Sequence, residues 1–309
     1  MKLGGPVFSQ HCSALDRILR ALRRPSLAAL PATALGCYRL VVEAEQYSNK
    51  EATMAWQVEP AENDGRHAAG FMHKALGDLG GIAPGDSRVL DFGCGGGELV
   101  ERLCAMGWDV FGCDMGEYWL ESKELAAGRC AVIQPTPYRL PFPDQHFDIV
   151  ISTSVLEHAL NKEEVFREIF RVLRPGGSML HLLPGKWYLP TEPHIFVPLV
   201  SWLWPYVPQW WLSMWAILGV RNSFQAGLDW RETANRNRRY MDQRLSYWTR
   251  RSLRRTVEHI FGNCSFPDRY LVDWADGGLA RLARRLPFRD VSAWISGNFR
   301  MGLLFARRP

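Results

Sequence analysis

From about residue 66 onward the sequence predicts an α/β fold: a doubly wound, mostly parallel, seven-stranded Rossmann-like sheet. Three observations carry that expectation. Short apolar runs alternate with stretches of helical periodicity. The runs are apolar throughout, as strands covered on both faces must be. Glycine, acidic and hydroxyl residues gather just after the runs, at the strand ends where such sheets bind ligands.

The elements follow in order. "DGRHAAGFMHKALGDLGG" reads as a helix stopped by Gly80 and Gly81, and "SRVLDF" as a buried strand. "ELVERLCAM" places Val100, Leu103 and Cys104 at helical spacing and ends at Gly107. "DVFGCD" is a second strand, "EYWLESKELAA" a second helix, "CAVIQ" a third strand and "FDIVIST" a fourth. In "NKEEVFREIFRVL", Asn161 and Glu164 have capping-box spacing, and Val165, Ile169, Phe170 and Leu173 share a face. "PGG" at 175–177 turns the chain into a fifth strand, "SMLHLL". Residues 1–65 are expected as an N-terminal helical extension and 66–309 as the main domain. Residues 15–22, with Leu15, Ile18, Leu19 and Leu22 on one face among arginines, suit a helix packed on that domain, a transit peptide or a membrane-surface helix.

After the first strand comes Asp91-Phe92-Gly93-Cys94-Gly95-Gly96-Gly97, then a helix. Glycines let backbone approach a ligand closely, and a helix N-terminus offers free N–H groups. A dinucleotide fingerprint starting at Gly93 would need glycine at 98, which is Glu98. Asp91 would repel a pyrophosphate but attract a cationic amine. Asp114 ends the second strand, where an acid accepts both hydroxyls of a ribose. A ribose, a cationic amino acid and no pyrophosphate describe S-adenosylmethionine (SAM).

"VLDFGCGGGELV", "VFGCDM", "LPFPDQHFDIVISTSVLEH" and "VLRPGGSMLHLLPG", in this order, resemble the class I SAM-dependent methyltransferases. The branch most similar is the small-molecule "type 11" group that includes quinone-biosynthesis enzymes, and "FRMGLLFAR" resembles that family's last, antiparallel strand. The resemblance implies that Asp91, Gly93, Gly95 and Gly97 hold the methionine end. It implies Asp114 at the ribose, and Met115, Leu140 and Phe142 near the adenine. Ser152, Thr153 and the residues up to Leu156 would line the methionine side and the acceptor mouth. Where many relatives carry an acid for the adenine amine, this chain has Thr136, whose hydroxyl or a backbone carbonyl would take that part.

An activated methyl donor leaves the protein to place the acceptor and, for a hydroxyl, to supply a base. His158 in "VLEH" is one candidate, although capping or packing the next helix is the competing reading. His194 in "PTEPH", near Glu192, is the other. His181 inside the fifth strand reads as a core histidine and Asp148 as a strand-start residue. No metal-ligand spacing is present in the sequence, and no metal is expected.

Residues 195–220, "IFVPLVSWLWPYVPQWWLSMWAILGV", run without a charge and hold five tryptophans. Length alone would allow a membrane span, but Pro198, Pro205 and Pro208 oppose one, so two short helices near 197–204 and 209–219 are expected. Relatives place acceptor lids here, and 186–256 is expected as a helical insertion of that kind. A lid over a hydrophobic or lipid-linked acceptor, a peripheral membrane patch through 195–220, and a packing or dimer surface remain open.

Charge is unevenly spread. Residues 1–220 hold 19 Lys/Arg against 24 Asp/Glu, whereas 221–309 hold 18 Arg, no Lys and 8 acids. The Arg-rich stretch 231–255 reads as a solvated face or as a site for anionic headgroups or a diphosphate; nucleic acid ranks behind these, since no RNA module accompanies it. Seven cysteines without a CxxC pair suit a reducing, cytoplasmic setting. The expected activity is methyl transfer from SAM to an oxygen or carbon of a small acceptor. A non-enzymatic SAM-binding protein and an RNA methyltransferase are the alternatives.

Overall fold

The computed structural model describes residues 66–115, 128–135, 138–275, 284–285 and 288–309. The expected N-terminal extension (1–65), the second helix (117–127) and Thr136 lie outside the described residues.

A single sheet organises the domain. Helix α1 (Arg66–Ala75) leads into strand β1 (Arg88–Phe92), followed by α2 (Glu98–Ala105), β2 (Asp109–Asp114) and β3 (Cys130–Val132). A small hairpin, β4 (Gln134–Pro135) and β5 (Tyr138–Arg139), stands apart from the sheet. Then come β6 (Phe147–Thr153), α3 (Lys162–Val172) and β7 (Leu173–Pro184). The strand order is β3-β2-β1-β6-β7-β8, with β8 (Met301–Arg307) antiparallel to β7 and the other pairs parallel. The order reverses between β1 and β6, so the carboxyl ends of these two strands open the cleft.

The main sheet has six strands among the described residues, where seven were expected. The seventh position is held by one antiparallel bridge, Ser265 to Phe305, with N–H···O distances of 2.9 and 3.0 Å in the two directions. Pro267, which has no N–H to continue a ladder, stops it from extending.

Both faces of the sheet are covered. Leu90, Phe92, Val150 and Met179 pack against Val165, Phe166 and Ile169 of α3 and against Leu253, Val257 and Phe261 of α7 (Arg250–Phe261). Val89, Ile149, Ile151 and Leu180 pack against Phe71, Met72 and Ala75 of α1 and against Val100 and Leu103 of α2. This double burial is why β6 reads as an unbroken apolar run; burying each such side chain contributes about 1.5–3 kcal/mol. Asn161 caps α3 as expected, its side chain accepting from the Glu164 N–H. Asp148 is a structural residue: it accepts from the Arg88 N–H at 2.7 Å and pairs with Arg174.

Residues 186–256 are described and helical in large part: α4 (Val200–Leu203), α5 (Gln209–Ile217), α6 (Trp230–Arg244) and the first turns of α7. They form a third core of their own, with Ile195, Val197, Leu212, Met241 and Tyr247 buried together. The two short helices fall inside the expected stretches, and among the described residues no helix is long and apolar enough to cross a membrane. The chain then continues through α8 (Asp268–Trp274) and α9 (Arg289–Phe299) to β8.

The arginines of α6 and α7 are largely engaged within the protein. Arg236 and Arg239 share Glu232 at 3.1 Å, Arg238 reaches Asp242, and Arg250 pairs with the buried Asp268 at 2.5 Å. Arg250 and Arg254 also stack on Phe266. Cys94 lies in the loop after β1; like Cys113 and Cys130, it is buried and forms no disulfide among the described residues.

Candidate active site

The cofactor half of the cleft is built by backbone. Asp91 sits between Gly112 of β2 and Ile151 of β6, so its carboxylate is held at the switch point and is 2 % exposed. After it the chain turns sharply. The N–H groups of Gly93 and Cys94 both donate to the Cys113 carbonyl, at 2.8 and 3.2 Å. Gly93 has φ 78°, and a Cβ there would collide with the Val155 side chain. Glycine is thus required both for conformation and for close approach. Gly97, also in the left-handed region at φ 81°, caps α2, whose N-terminus faces the loop.

Asp114 ties the loop to β2. One carboxylate oxygen accepts from the Gly95 N–H at 2.7 Å and the other from the Met115 N–H at 2.6 Å. Each oxygen retains capacity for a further donor. Burial, and then the charge of Asp114, push the Asp91 carboxyl up to about 8. No positive group of the described residues offsets this. A ligand ammonium would do so, and ribose hydroxyls would find acceptors on Asp114. At Gly95 a Cβ would enter open space among the described residues, as a ligand cradle requires. The residues therefore fit SAM.

Other expected cofactor residues take different places. Ser152 is fully buried and its hydroxyl is bound to His181 Nδ1 at 2.6 Å, so it braces β6 against β7 instead of lining the cleft. The hydroxyls of Thr153 and Ser154, the next residues, are buried without a hydrogen-bond partner, and Ser154 has φ 58°. Leu140 is 1 % exposed in the core with Met115 packed on the same cluster, and Phe142 stacks edge-on against Phe147 at 5.0 Å. Both are anchored from α3: Glu168 accepts from the Leu140 N–H, and Arg171 donates to the Leu140 and Phe142 carbonyls.

A second cluster, at the residues expected to face the acceptor, is built from side chains that are far apart in sequence. Residues 154–158 leave β6 beside the glycine loop, through the Val155–Gly93 contact. There His158 and His194 meet with ring centroids 4.7 Å apart, and Tyr240 lies against both rings. His158 donates from Nδ1 to the Arg244 carbonyl at 2.8 Å, the tautomer that such an acceptor imposes. His194 holds its Nδ1 on Glu192 at 2.6 Å. Glu192 is fully buried and also accepts from the N–H groups of His194 and Ile195 and from the Tyr247 hydroxyl at 2.7 Å.

Electrostatics separate the two histidines. Burial and the neighbouring His194 press His158 down to about 3. For His194, burial opposes the charge, but the Glu192 carboxylate prevails and raises it. For Glu192, burial pushes upward, while His194 and the three other donors hold it below the ordinary value. His158 is thus a weak base, and His194 with Glu192 is the stronger candidate.

Three further residues have weak or no sequence signals. Glu157 is 2 % exposed with neither carboxylate oxygen hydrogen-bonded, and burial drives it up to about 7. Lys162, 1 % exposed, donates to the carbonyls of Ala159 at 2.9 Å and Ser246 at 2.5 Å, and burial lowers it to about 7. Tyr247 completes the Glu192 shell. The "VLEH" string pointed at Glu157 through its neighbour; nothing local to Lys162 or Tyr247 marks them. Ligand atoms of Glu157, His158 and His194 lie within 4.8 Å of one another, a grouping that no sequence spacing announces.

Comparison with known proteins accords with this geometry. Residues 90–181 match the family model described as a methyltransferase domain. The ubiquinone/menaquinone biosynthesis C-methyltransferase UbiE of Laribacter hongkongensis is 36% identical over 125 residues, which is 37% of this chain and 49% of that protein. The sterol 24-C-methyltransferase ERG6B of Gibberella zeae is 32% identical over 147 residues, 45% of this chain and 38% of that one. The ubiquinone biosynthesis O-methyltransferase of Pseudomonas fluorescens is 35% identical over 100 residues, 30% of this chain and 42% of that one. The chain thus spans less than half the length of each of these relatives. With Asp91, the glycine turn and Asp114 in the places described, residues 90–181 form a domain similar to those of class I SAM-dependent methyltransferases.

Proposed function

We propose that the protein transfers the methyl group of SAM to an oxygen or carbon of a small, hydrophobic or lipid-linked acceptor. One observation carries the reading: the Asp91 and Asp114 carboxylates converge on the glycine turn, while His158, three residues past the Val155 that packs on Gly93, meets His194 and Tyr240 of the helical insertion. SAM, when bound, supplies a sulfonium-activated methyl group. Asp91 holds the ligand ammonium, and Asp114 accepts ribose hydroxyls while its two backbone donors fix its rotamer. The turn lets ligand atoms approach the backbone. Val155, pressed on Gly93, separates cofactor from acceptor.

On the acceptor side, His194 takes the proton of an acceptor hydroxyl or activated C–H. Glu192 orients the ring and stabilises the imidazolium, as a buried carboxylate partner does in acid–base pairs. The acceptor, relieved of that proton, would take up the methyl group that bound SAM supplies. Relatives named for quinone and sterol methylation support an apolar acceptor. So does the insertion, which excludes water and strengthens charge interactions beneath it. Its outer surface leaves Tyr206 88 %, Trp210 62 % and Ile217 62 % exposed, a surface suited to peripheral contact with the bilayer from which such an acceptor is drawn. The internal pairing of the α6 and α7 arginines argues against the nucleic-acid reading.

Calorimetric titration with SAM and, separately, with NAD tests the first half of the reading: SAM binds and NAD does not. Transfer of isotopically labelled methyl from SAM into a membrane lipid extract tests the second. Binding of SAM without product would favour the non-enzymatic alternative, and binding of NAD alone would refute the assignment.

A further inference from the structure

Beyond the two bases, the cluster at the acceptor mouth has features that acid–base chemistry leaves unexplained. Glu157 is almost wholly buried and neither carboxylate oxygen makes a side-chain hydrogen bond, although the charges of His194 and Lys162 act on it. His158 and His194 each commit Nδ1 to an oxygen acceptor, a backbone carbonyl in one case and a carboxylate in the other. With Nδ1–H donating, the lone pair of each ring lies on Nε2. This is the outer-shell pattern that fixes the tautomer and basicity of metal-binding histidines. Glu192 is itself held by Tyr247 and by two backbone N–H groups, so the orienting shell is rigid.

We infer that Glu157, His158 and His194 form a binding site for one divalent first-row transition-metal ion at the acceptor mouth. Two imidazoles and one carboxylate are borderline donors of the kind zinc, cobalt and manganese accept, and three ligands leave positions open for the acceptor. Ligand atoms around one such ion stand about 3–3.5 Å apart. Here they lie within 4.8 Å, so closure requires a shift on the order of 1 Å, within reach of a Glu157 rotamer change. The ion would neutralise the buried carboxylate and, because it takes the His194 lone pair, would stand in for that base: as a Lewis acid it would acidify an acceptor hydroxyl, which then loses its proton to solvent. Its catalytic role rests on the methyl-transfer reading above; its binding does not, and is measured without SAM.

The test uses the full chain, stripped with chelator and titrated with Co²⁺. One equivalent is expected to bind with a visible spectrum of nitrogen–oxygen type. His158→Gln and His194→Gln should each weaken binding by roughly 100-fold, and Glu192→Gln, which only disturbs orientation, by roughly tenfold. Asp114→Ala should bind Co²⁺ unchanged while losing SAM affinity, which separates failure of this site from failure of the cofactor site. X-ray absorption of the zinc-loaded wild-type chain gives a readout needing no variant: two imidazoles and no sulfur are expected. The inference is overturned by the absence of stoichiometric uptake, by equal affinity in both histidine variants, or by a sulfur shell placing the ion on the cysteines.

Discussion

In the cofactor half of the cleft, Gly95 and Asp114 are joined across 19 residues by a backbone-to-carboxylate hydrogen bond, and the loop needs little beyond glycine and two acids. In the acceptor half, His158 meets the Arg244 carbonyl across 86 residues, and Glu192 meets Tyr247 across 55. The first half is backbone geometry with charge poised at its edge. The second is a buried network of ionisable side chains in which each member depends on the others for its tautomer or its charge. Stability and chemistry are therefore coupled differently in the two halves. The cofactor site tolerates loss of a side chain and forfeits ligand, whereas the acceptor site forfeits the fold around it.

That contrast is open to measurement, and the largest effect is expected in the acceptor half. Glu192→Ala leaves His194 and Tyr247 without their shared partner and should destabilise the protein by about 3–5 kcal/mol, as breaking a buried pair does. Chemical denaturation checks this, with SAM affinity at low denaturant unaffected. Next comes Asp114→Ala, which should weaken SAM by about 10–100-fold through loss of charge-assisted hydrogen bonds, while solvent takes over the Gly95 and Met115 amides. A comparable loss of stability in that variant would erase the distinction between the halves.

Asp91 supplies the third test, through pH. Its folded-state carboxyl lies at about 8, above the unfolded value, because of burial and the Asp114 charge. The folded protein thus holds a proton that the unfolded chain has released, so stability without ligand falls as pH rises from about 4 towards 8. An ammonium ligand reverses the preference. SAM affinity should rise over about pH 6 to 8 and then level, with proton release on binding visible as a buffer-dependent heat. Asp91→Asn should flatten both profiles. The smallest effect concerns the outer surface: Trp210→Ser with Tyr206→Ser should alter stability by only about 0.5 kcal/mol per site while reducing co-sedimentation with phospholipid vesicles. Unchanged sedimentation would remove the membrane part of the proposed function.

Legibility followed the same division. The strand–turn–helix pattern, the apolar runs and the positions of Asp91, Gly93, Gly97 and Asp114 were readable because each is dictated within one or two adjacent elements. Ser152 misled because strand alternation turned its hydroxyl onto His181, leaving Thr153 and Ser154 at the strand end. The seventh strand shrank to a bridge at Ser265 ahead of Pro267. The Arg-rich stretch reads as a solvated face or as a site for anions, and Glu232, Asp242 and the more distant Asp268 pair with four of its arginines.

Local order, then, was determined by the sequence itself: period-2 and helical patterning, a cap at Asn161, glycines where φ is positive, and the acids at two strand ends. Only the tertiary structure decided that the Glu157 carboxylate would be buried near His194 and Lys162 and that Lys162 would end on two carbonyls. It also decided that His194 would arrive from the insertion to face His158. Those outcomes depend on desolvation and on contacts between segments tens of residues apart, and neither leaves a periodic or short-range mark in the chain.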